Sequence, residues 1–387
     1  MYQFARYFEK FRALINSNMR IEDVSEPEVL ETLQAAVAAE NQGFERPTLE
    51  LDRQIRAKVD SWYLDVYSRT QADVTARWPF EEKIERSYFH VTDLKDTEIE
   101  NWRKFLDFEE AQGDFYRTCF LYERCLVACA LYEEFWLRYA RWMFSQEGKE
   151  EDCRQIYMRA SCIFVPISQP TVRLNWARLE EKLGRTSLAH DIHESILDQN
   201  PDHVETIISL AGVDRRHEGA DAAVGTLEKY IGQRNAHVGG VLAAEQARIL
   251  WQFKRAPDEA RQLFKEKSEK FLESKEFWLR YMDFEIAQPS DDEEEAHKRV
   301  KEIHDTIRTR GRFSEEASKA LSHHYMEYLM DHGGKDAADE FMKLDREVNG
   351  YVSSKNIQLP HSKPSTKKRK NKNKNVAAAQ AAAAAVS

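Results

Sequence analysis

Few residues in this 387-residue chain have both the type and the spacing for chemistry. His190 and His193 stand three apart with Asp191 between them, which places two imidazoles on one helix face where they could share a metal ion. No third ligand has a suitable spacing, and His193 also fits a packing position described below. His323 and His324 are adjacent and so point to different faces of a helix, which argues against joint ligation. Cys119, Cys125, Cys129, Cys153 and Cys162 form neither a CxxC pair nor an even set, and all fall on stretches that read as buried helix. They read as small core residues. The phosphate-loop, dinucleotide, HExxH and nucleophile-elbow motifs are absent, and the many paired carboxylates have no pocket to work in. The expectation is a non-enzyme with no catalytic residue, metal, cofactor or small-molecule substrate.

Charge is the other chemical resource. The net charge is -10, yet Lys363, Lys367, Lys368, Arg369, Lys370, Lys372 and Lys374 gather at one end, leaving the rest still more acidic. An acidic body repels phosphate, so RNA contact is expected to be indirect or local. The run Asp291 to Glu295 reads as a solvated loop, with contact to a basic partner segment as the sharper alternative. Four consecutive basic residues, Lys367, Lys368, Arg369 and Lys370, read as a nuclear-import signal ahead of an RNA-touching arm or a solubilising tail. No apolar run reaches the roughly 18 residues of a membrane span, and the N-terminus lacks the apolar core of a signal peptide. The chain is expected in the nucleus and away from membranes.

The elements that would carry these residues repeat. A tryptophan followed three residues later by an aromatic opens three segments: Trp102 with Phe105, Trp136 with Tyr139, and Trp278 with Tyr281. Each reads as a first helix. A second helix follows, with a small residue and then an aromatic, at Tyr122, at Tyr157 and, more loosely, at His304. Weaker copies run from Trp176 to His193, from Leu210 to Leu227 and from Ala247 to Phe264, each with a separation of 17 residues. First-helix anchors then fall at 102, 136, 176, 210, 247 and 278, a period typical of helical-hairpin arrays. The physical reason is packing: residues i and i+3 form one ridge, and Cys153, Ala189, Ala223 and Ala260 let the partner helix approach. Gly113, Gly148, Gly184 and Gly219 close first helices, while Thr97 with Glu100 and Asp202 with Glu205 read as capping boxes.

The chain thus divides into N-terminal helices and an irregular connector (1–96), a repeat array (97–310), C-terminal helices (311–350) and a disordered basic and alanine-rich tail (351–387). Within the first block, 1–16 and 50–76 read as helix and 77–96 fits no repeat. Leu321, Tyr325, Tyr328 and Leu329 share one stripe, which either folds back as a cap on the chain's own array or docks onto a second copy.

Helix pairs of this kind resemble the HAT repeat, the half-a-TPR motif of RNA-processing scaffolds, so the fold class is an all-α HAT helical-hairpin solenoid. Between residues 77 and 142, RWPFEEKIERSYFHVTDL, NWRKFLDFEE and LYERCLVACALYEEFWLRYARWM resemble the pre-mRNA-processing factor thirty-nine family. The RWxFEE...YFHV connector is the specific part, since a generic repeat has no need of it. The resemblance implies a non-catalytic scaffold that helps the U1 snRNP act at 5′ splice sites. It also implies contacts to U1 snRNP proteins and dimerisation through the C-terminal repeats, with itself or a related HAT-repeat partner, which favours docking of the Leu321, Tyr325, Tyr328 and Leu329 stripe onto a second copy. Family members carry a further block of repeats ahead of the stretch matching MYQFARYFEKF, so this chain resembles the linker and C-terminal half. A HAT scaffold of mRNA 3′-end processing shares the repeat but lacks the connector. A helical-repeat enzyme subunit, such as a prenyltransferase alpha chain, would need a catalytic partner and other repeat signatures.

Overall fold

The computed structural model describes residues 3–350 apart from 18, 42, 43, 45, 46 and 291. Lys367, Lys368, Arg369 and Lys370 lie outside the described residues, as do the remainder of the tail and Asp291. Every long element is an α-helix: α1 (Phe4–Ile15), α2 (Pro27–Glu40), α3 (Thr48–Glu81), α4 (Asp96–Gln112), α5 (Phe115–Ala128), α6 (Glu133–Phe144), α7 (Glu150–Arg159), α8 (Thr171–Lys182) and α9 (Thr186–Gln199). There follow α10 (Val204–His217), α11 (Ala220–Ile231), α12 (Ala236–Gln252), α13 (Pro257–Lys267), α14 (Lys275–Ile286), α15 (Glu293–Arg310), α16 (Glu315–His332) and α17 (Ala337–Asn349). Packing divides the chain into two units, Met1–Ile192 and His193–Ser387, with the boundary inside α9. Within each unit helices pack on their neighbours in sequence.

In the first unit α1 lies on α3, where Ile15 and Val59 are buried, the Phe8 and Tyr67 rings stack at 4.4 Å, and Arg12 grips Asp60 with two 2.7 Å hydrogen bonds. From α4 onward the helices pair as hairpins. Gly113 ends α4 in the left-handed region at φ 77°, which only glycine adopts without steric cost.

The helix starts differ from the capping boxes read in the sequence. The first residue of α4 is Asp96, preceded by Lys95 without a side-chain cap, so Thr97 lies inside the helix. In α10 the cap is His203 rather than Asp202, because the turn after Asn200 brings the His203 Nδ1 to accept from the Thr206 N–H at 3.3 Å. The cysteines also divide: Cys125, Cys129 and Cys153 are buried and Cys119 half-buried, but Cys162 is exposed on a π-helical turn at Ala160–Phe164.

A larger correction concerns register. Trp102, Trp136 and Trp278 are buried, whereas Trp176 is only partly so. The residue of α8 equivalent to those tryptophans is Arg173. Trp136 Nε1 donates to the Ala130 carbonyl at 2.8 Å and Trp278 Nε1 to that of Phe271 at 3.0 Å, each in the loop before its helix. Arg173 does the same work with its guanidinium, donating to the carbonyls of Pro166 at 3.0 Å, Val165 at 2.9 Å and Ser161. Trp176 therefore fills the following position, that of Phe105, Tyr139 and Tyr281, and its Nε1 donates to Glu180 at 2.7 Å. In α10 the same two positions are Ile207 and Leu210, and in α12 Gly239 and Leu242. Gly239 carries no side chain there because the Phe271 ring lies 2.9 Å from where a Cβ would stand. Arg173→Met is expected to leave three carbonyls short of a donor and to cost about 1–3 kcal/mol, seen as a lower urea midpoint.

Candidate interaction surfaces

The repeat core is what positions any surface this chain presents. Its central contact is a ring on the second helix of one hairpin lying flat against a ring on the first helix of the next. Tyr122 stacks on Tyr139 at 4.5 Å, Phe264 on Tyr281 at 4.6 Å, and His304 on Tyr325 at 4.3 Å. Phe80 stacks on Phe105 at 5.0 Å in the same way, although the sequence places it in the connector. The last turns of α3 thus act as the second helix of a hairpin, and the helix carries Pro79 through to Glu81. Tyr157 is likewise buried.

Sequence reasoning missed a polar layer beneath this stack. Seven residues after the first-helix anchor, two helical turns on, stand Glu109, Glu180, Asp214, Gln246 and Glu285, all buried. Buried carboxylates need full partners. Glu109 receives Arg77 Nε at 2.5 Å and Nη2 at 3.0 Å; Glu180 receives Arg154 Nε at 2.6 Å; Glu285 receives Arg261 Nε at 2.7 Å and Nη2 at 3.2 Å. Each arginine follows a small residue and precedes the second-helix aromatic by three, in ARWPF, CRQIY and ARQLF. That small-Arg-x-x-aromatic pattern is the signal that would have found both the clamps and the hairpin hidden at Phe80.

Leu321, Tyr325, Tyr328 and Leu329 do not form a free stripe. They are buried in the core of their own unit, Tyr325 stacked on His304 with its hydroxyl donating to Glu340 at 2.9 Å. The helix α16 is the first helix of one more hairpin, and it packs on α14, α15 and α17 of its own unit. Two of the histidines weighed as ligands are engaged with other side chains. His193 is buried with Nε2 2.9 Å from Ser209 Oγ, and His324 Nε2 lies 2.8 Å from Asp283. No group of three metal-binding side chains comes together among the described residues.

Two histidines in the last hairpins, His304 and His324, titrate in opposite directions. Burial, aided by the Arg308 charge, pushes the His304 pKa down to about 4, whereas the hydrogen bond to Asp283 raises that of His324. A value below the unfolded one of about 6.5 means that the neutral ring is preferred on folding. The stability His304 contributes is complete above about pH 6.5 and is lost as pH falls from there toward 4; His324 stabilises below about 6.5 and loses this as pH rises through its folded value. Between pH 7 and 5 the native chain is expected to lose about 2 kcal/mol more than His304→Phe in urea melts.

Two exposed apolar surfaces remain on the first unit. In the connector Tyr88, Phe89 and Val91 are 62, 49 and 70% exposed. The loop that displays them is held by Arg86, which donates to the Thr92 carbonyl at 2.8 Å, and by the buried Glu98, which accepts the Arg86 N–H at 3.0 Å. Phe89 lies 6.4 Å from Phe164, which brings the exposed Ile163 alongside. On α5, Tyr116 and Phe120 stand one turn apart, 82 and 65% exposed, above a cleft of about 420 Å³ against α3. Arginines edge it in pairs, Arg117 with Asp73 at 2.9 Å and Arg124 with Glu81 at 2.6 Å. Rigidly held, exposed aromatics bordered by arginine are the composition of protein-binding hot spots.

Comparison with known proteins agrees with the repeat. Residues 75–216 match the model of the PRP39 C-terminal HAT repeat, which begins within the last turns of α3. The chain is 37% identical over 372 residues to pre-mRNA-processing factor 39 of Schizosaccharomyces pombe, covering 91% of this chain and 60% of that relative. It is 30% identical over 241 residues to pre-mRNA-processing factor 39 of Homo sapiens, covering 60% of this chain and 34% of the human protein. Cleavage stimulation factor subunit 77 of Arabidopsis thaliana is 24% identical over 247 residues, 60% of this chain and 33% of that protein. The chain therefore spans from 33 to 60% of the length of these relatives.

Proposed function

The chain belongs to the PRP39 family of HAT-repeat proteins, and from that premise we infer that it is a non-catalytic scaffold of the U1 snRNP in pre-mRNA splicing. It supports 5′ splice-site recognition through contacts with U1 snRNP proteins. The observation that carries this reading is the extent of similarity to the S. pombe splicing factor, 91% of the chain and through the connector, against the lower identity to the cleavage factor subunit. The fold supports it as well: the conspicuous charged groups inside the hairpins are clamped by partners, and the exposed aromatics of the connector and α5 are held for contact. Association with a second copy or a related HAT-repeat chain belongs to the same reading, through a surface other than the buried α16 stripe.

Affinity purification of the tagged chain followed by mass spectrometry tests the proposal. U1 snRNP proteins should dominate; recovery of 3′-end cleavage factors in their place would assign the chain to that machinery. The nucleus is the place such a scaffold works, and the proposed import signal is Lys367, Lys368, Arg369 and Lys370. Changing all four to alanine is expected to move a fluorescent fusion toward the cytoplasm with helical content unchanged, and an unaltered nuclear signal would place import elsewhere.

A further inference from the structure

Helices α6, α7 and α8 enclose a cleft of about 230 Å³ whose floor is apolar, with the buried Cys153 and Leu179 beside the ring of Tyr157. Its rim is cationic: Arg141, Arg178 and Lys182 all line it, and no carboxylate does. Such a concentration of positive charge is unusual on a chain of net charge -10. Among the described residues neither Arg141 nor Lys182 has a carboxylate within ion-pairing distance, in contrast to Arg138, Arg154 and Arg159 on the same helices. Lys182 instead rests its ammonium 3.9 Å over the ring of Phe144, which is 40% exposed at the rim. The Tyr157 hydroxyl, in a residue otherwise buried, has no hydrogen-bond partner among the described residues. Burial pushes its pKa up to about 12 while the nearby Arg141 and Arg178 charges pull the other way, so it stands as a neutral donor beside two guanidiniums.

We propose that this cleft binds an acidic segment of a protein partner, with a carboxylate held by Arg141, Lys182 and the Tyr157 hydroxyl and a neighbouring apolar side chain on Leu179 and Phe144. Carboxylates are the anions that guanidinium and phenol donors satisfy together. RNA fits less well. A phosphodiester chain carries its charge onward in both directions, and the first turn of α7 beside the cleft presents Glu150, Glu151 and Asp152. An isolated anionic side chain enters without meeting them. The inference rests on the cleft alone and stands apart from the splicing role.

The test is a random heptapeptide display library panned on the full chain, with the Arg141→Glu/Lys182→Glu chain as counter-selection. Both side chains are exposed, and a far-ultraviolet circular dichroism spectrum confirms that the double variant keeps its helices. Recovered sequences should carry Asp or Glu next to Leu, Ile or Phe. By fluorescence anisotropy the best of them should bind at least about tenfold more weakly to the double variant. Tyr157→Phe, which keeps the ring, should weaken it about threefold, and raising salt from about 50 to about 300 mM should weaken it further. Absence of acidic enrichment, or equal binding by both chains, would overturn the proposal. So would a labelled decauridylate that binds more tightly than the peptide and loses its binding on the same charge reversal, since the cleft would then be an RNA contact.

Discussion

Tyr325→Asp combined with Leu329→Asp is expected to unfold the last hairpins rather than to release a monomer from a dimer. Both side chains are almost wholly inaccessible, Tyr325 lies flat on His304, and its hydroxyl reaches Glu340. Aspartate at either site loses the apolar burial and leaves a carboxylate without a cation in the core. Together the changes should cost upward of about 5 kcal/mol, because large-to-small truncation alone costs about 2–5 kcal/mol at one such site. Hydrogen exchange should show α15, α16 and α17 losing protection together. A variant that melts like the native chain, with half its mass by light scattering, would return the stripe to an intermolecular surface.

Trp136→Ala should have the next largest effect, about 3–5 kcal/mol. The indole is 1% exposed, stacks on Phe164 at 5.4 Å, lies under the Arg159 guanidinium at the same distance, and donates to Ala130. Trp136→Phe separates the contributions. It retains a ring for Phe164 but leaves the Ala130 carbonyl without its donor, so it should cost about 1–3 kcal/mol. Because hairpins touch mainly their neighbours, exchange should quicken first in α5, α6 and α7. Equal urea midpoints for the two variants would mean that the hydrogen bond, and not the ring, holds this hairpin.

Much of the fold is legible in the sequence because its strongest signals are large. Tryptophan and tyrosine at helical spacing, glycines at helix ends and alanines opposite them mark hairpins without help from tertiary structure. The family resemblance was carried by the connector, whose exposed Tyr88, Phe89 and Val91 no packing argument demands. Register failed where an anchor was polar or absent. Arg173 escapes a search for apolar anchors although its long stem and five donors let it replace an indole, and Gly239 escapes because the Phe271 ring, from the loop before α14, fills its place. Trp176 then drew the reading one position along. Pro79 hid the second-helix character of α3, since proline lacks the N–H for the helical ladder and normally breaks a helix, yet α3 carries it and ends two residues later.

The C-terminal stripe shows a different limit. A helix with one apolar face must cover it, but periodicity does not say with what. The deciding residue was His304, already in the aromatic slot of its helix and short of a stacking partner until Tyr325 supplied one. The cleft between α6, α7 and α8 was illegible for a related reason. Arg141 comes from α6 and Arg178 and Lys182 from α8, with α7 between them, so only the folded chain gathers them.

The central claim, a place in the U1 snRNP, is tested most directly by the RNA that accompanies the chain. Small nuclear RNAs recovered with the tagged full chain from nuclear extract, quantified by reverse transcription, should show U1 enriched at least about tenfold over U2, U4 and U6. Recovery of all four in their input proportions, or of none, would contradict it.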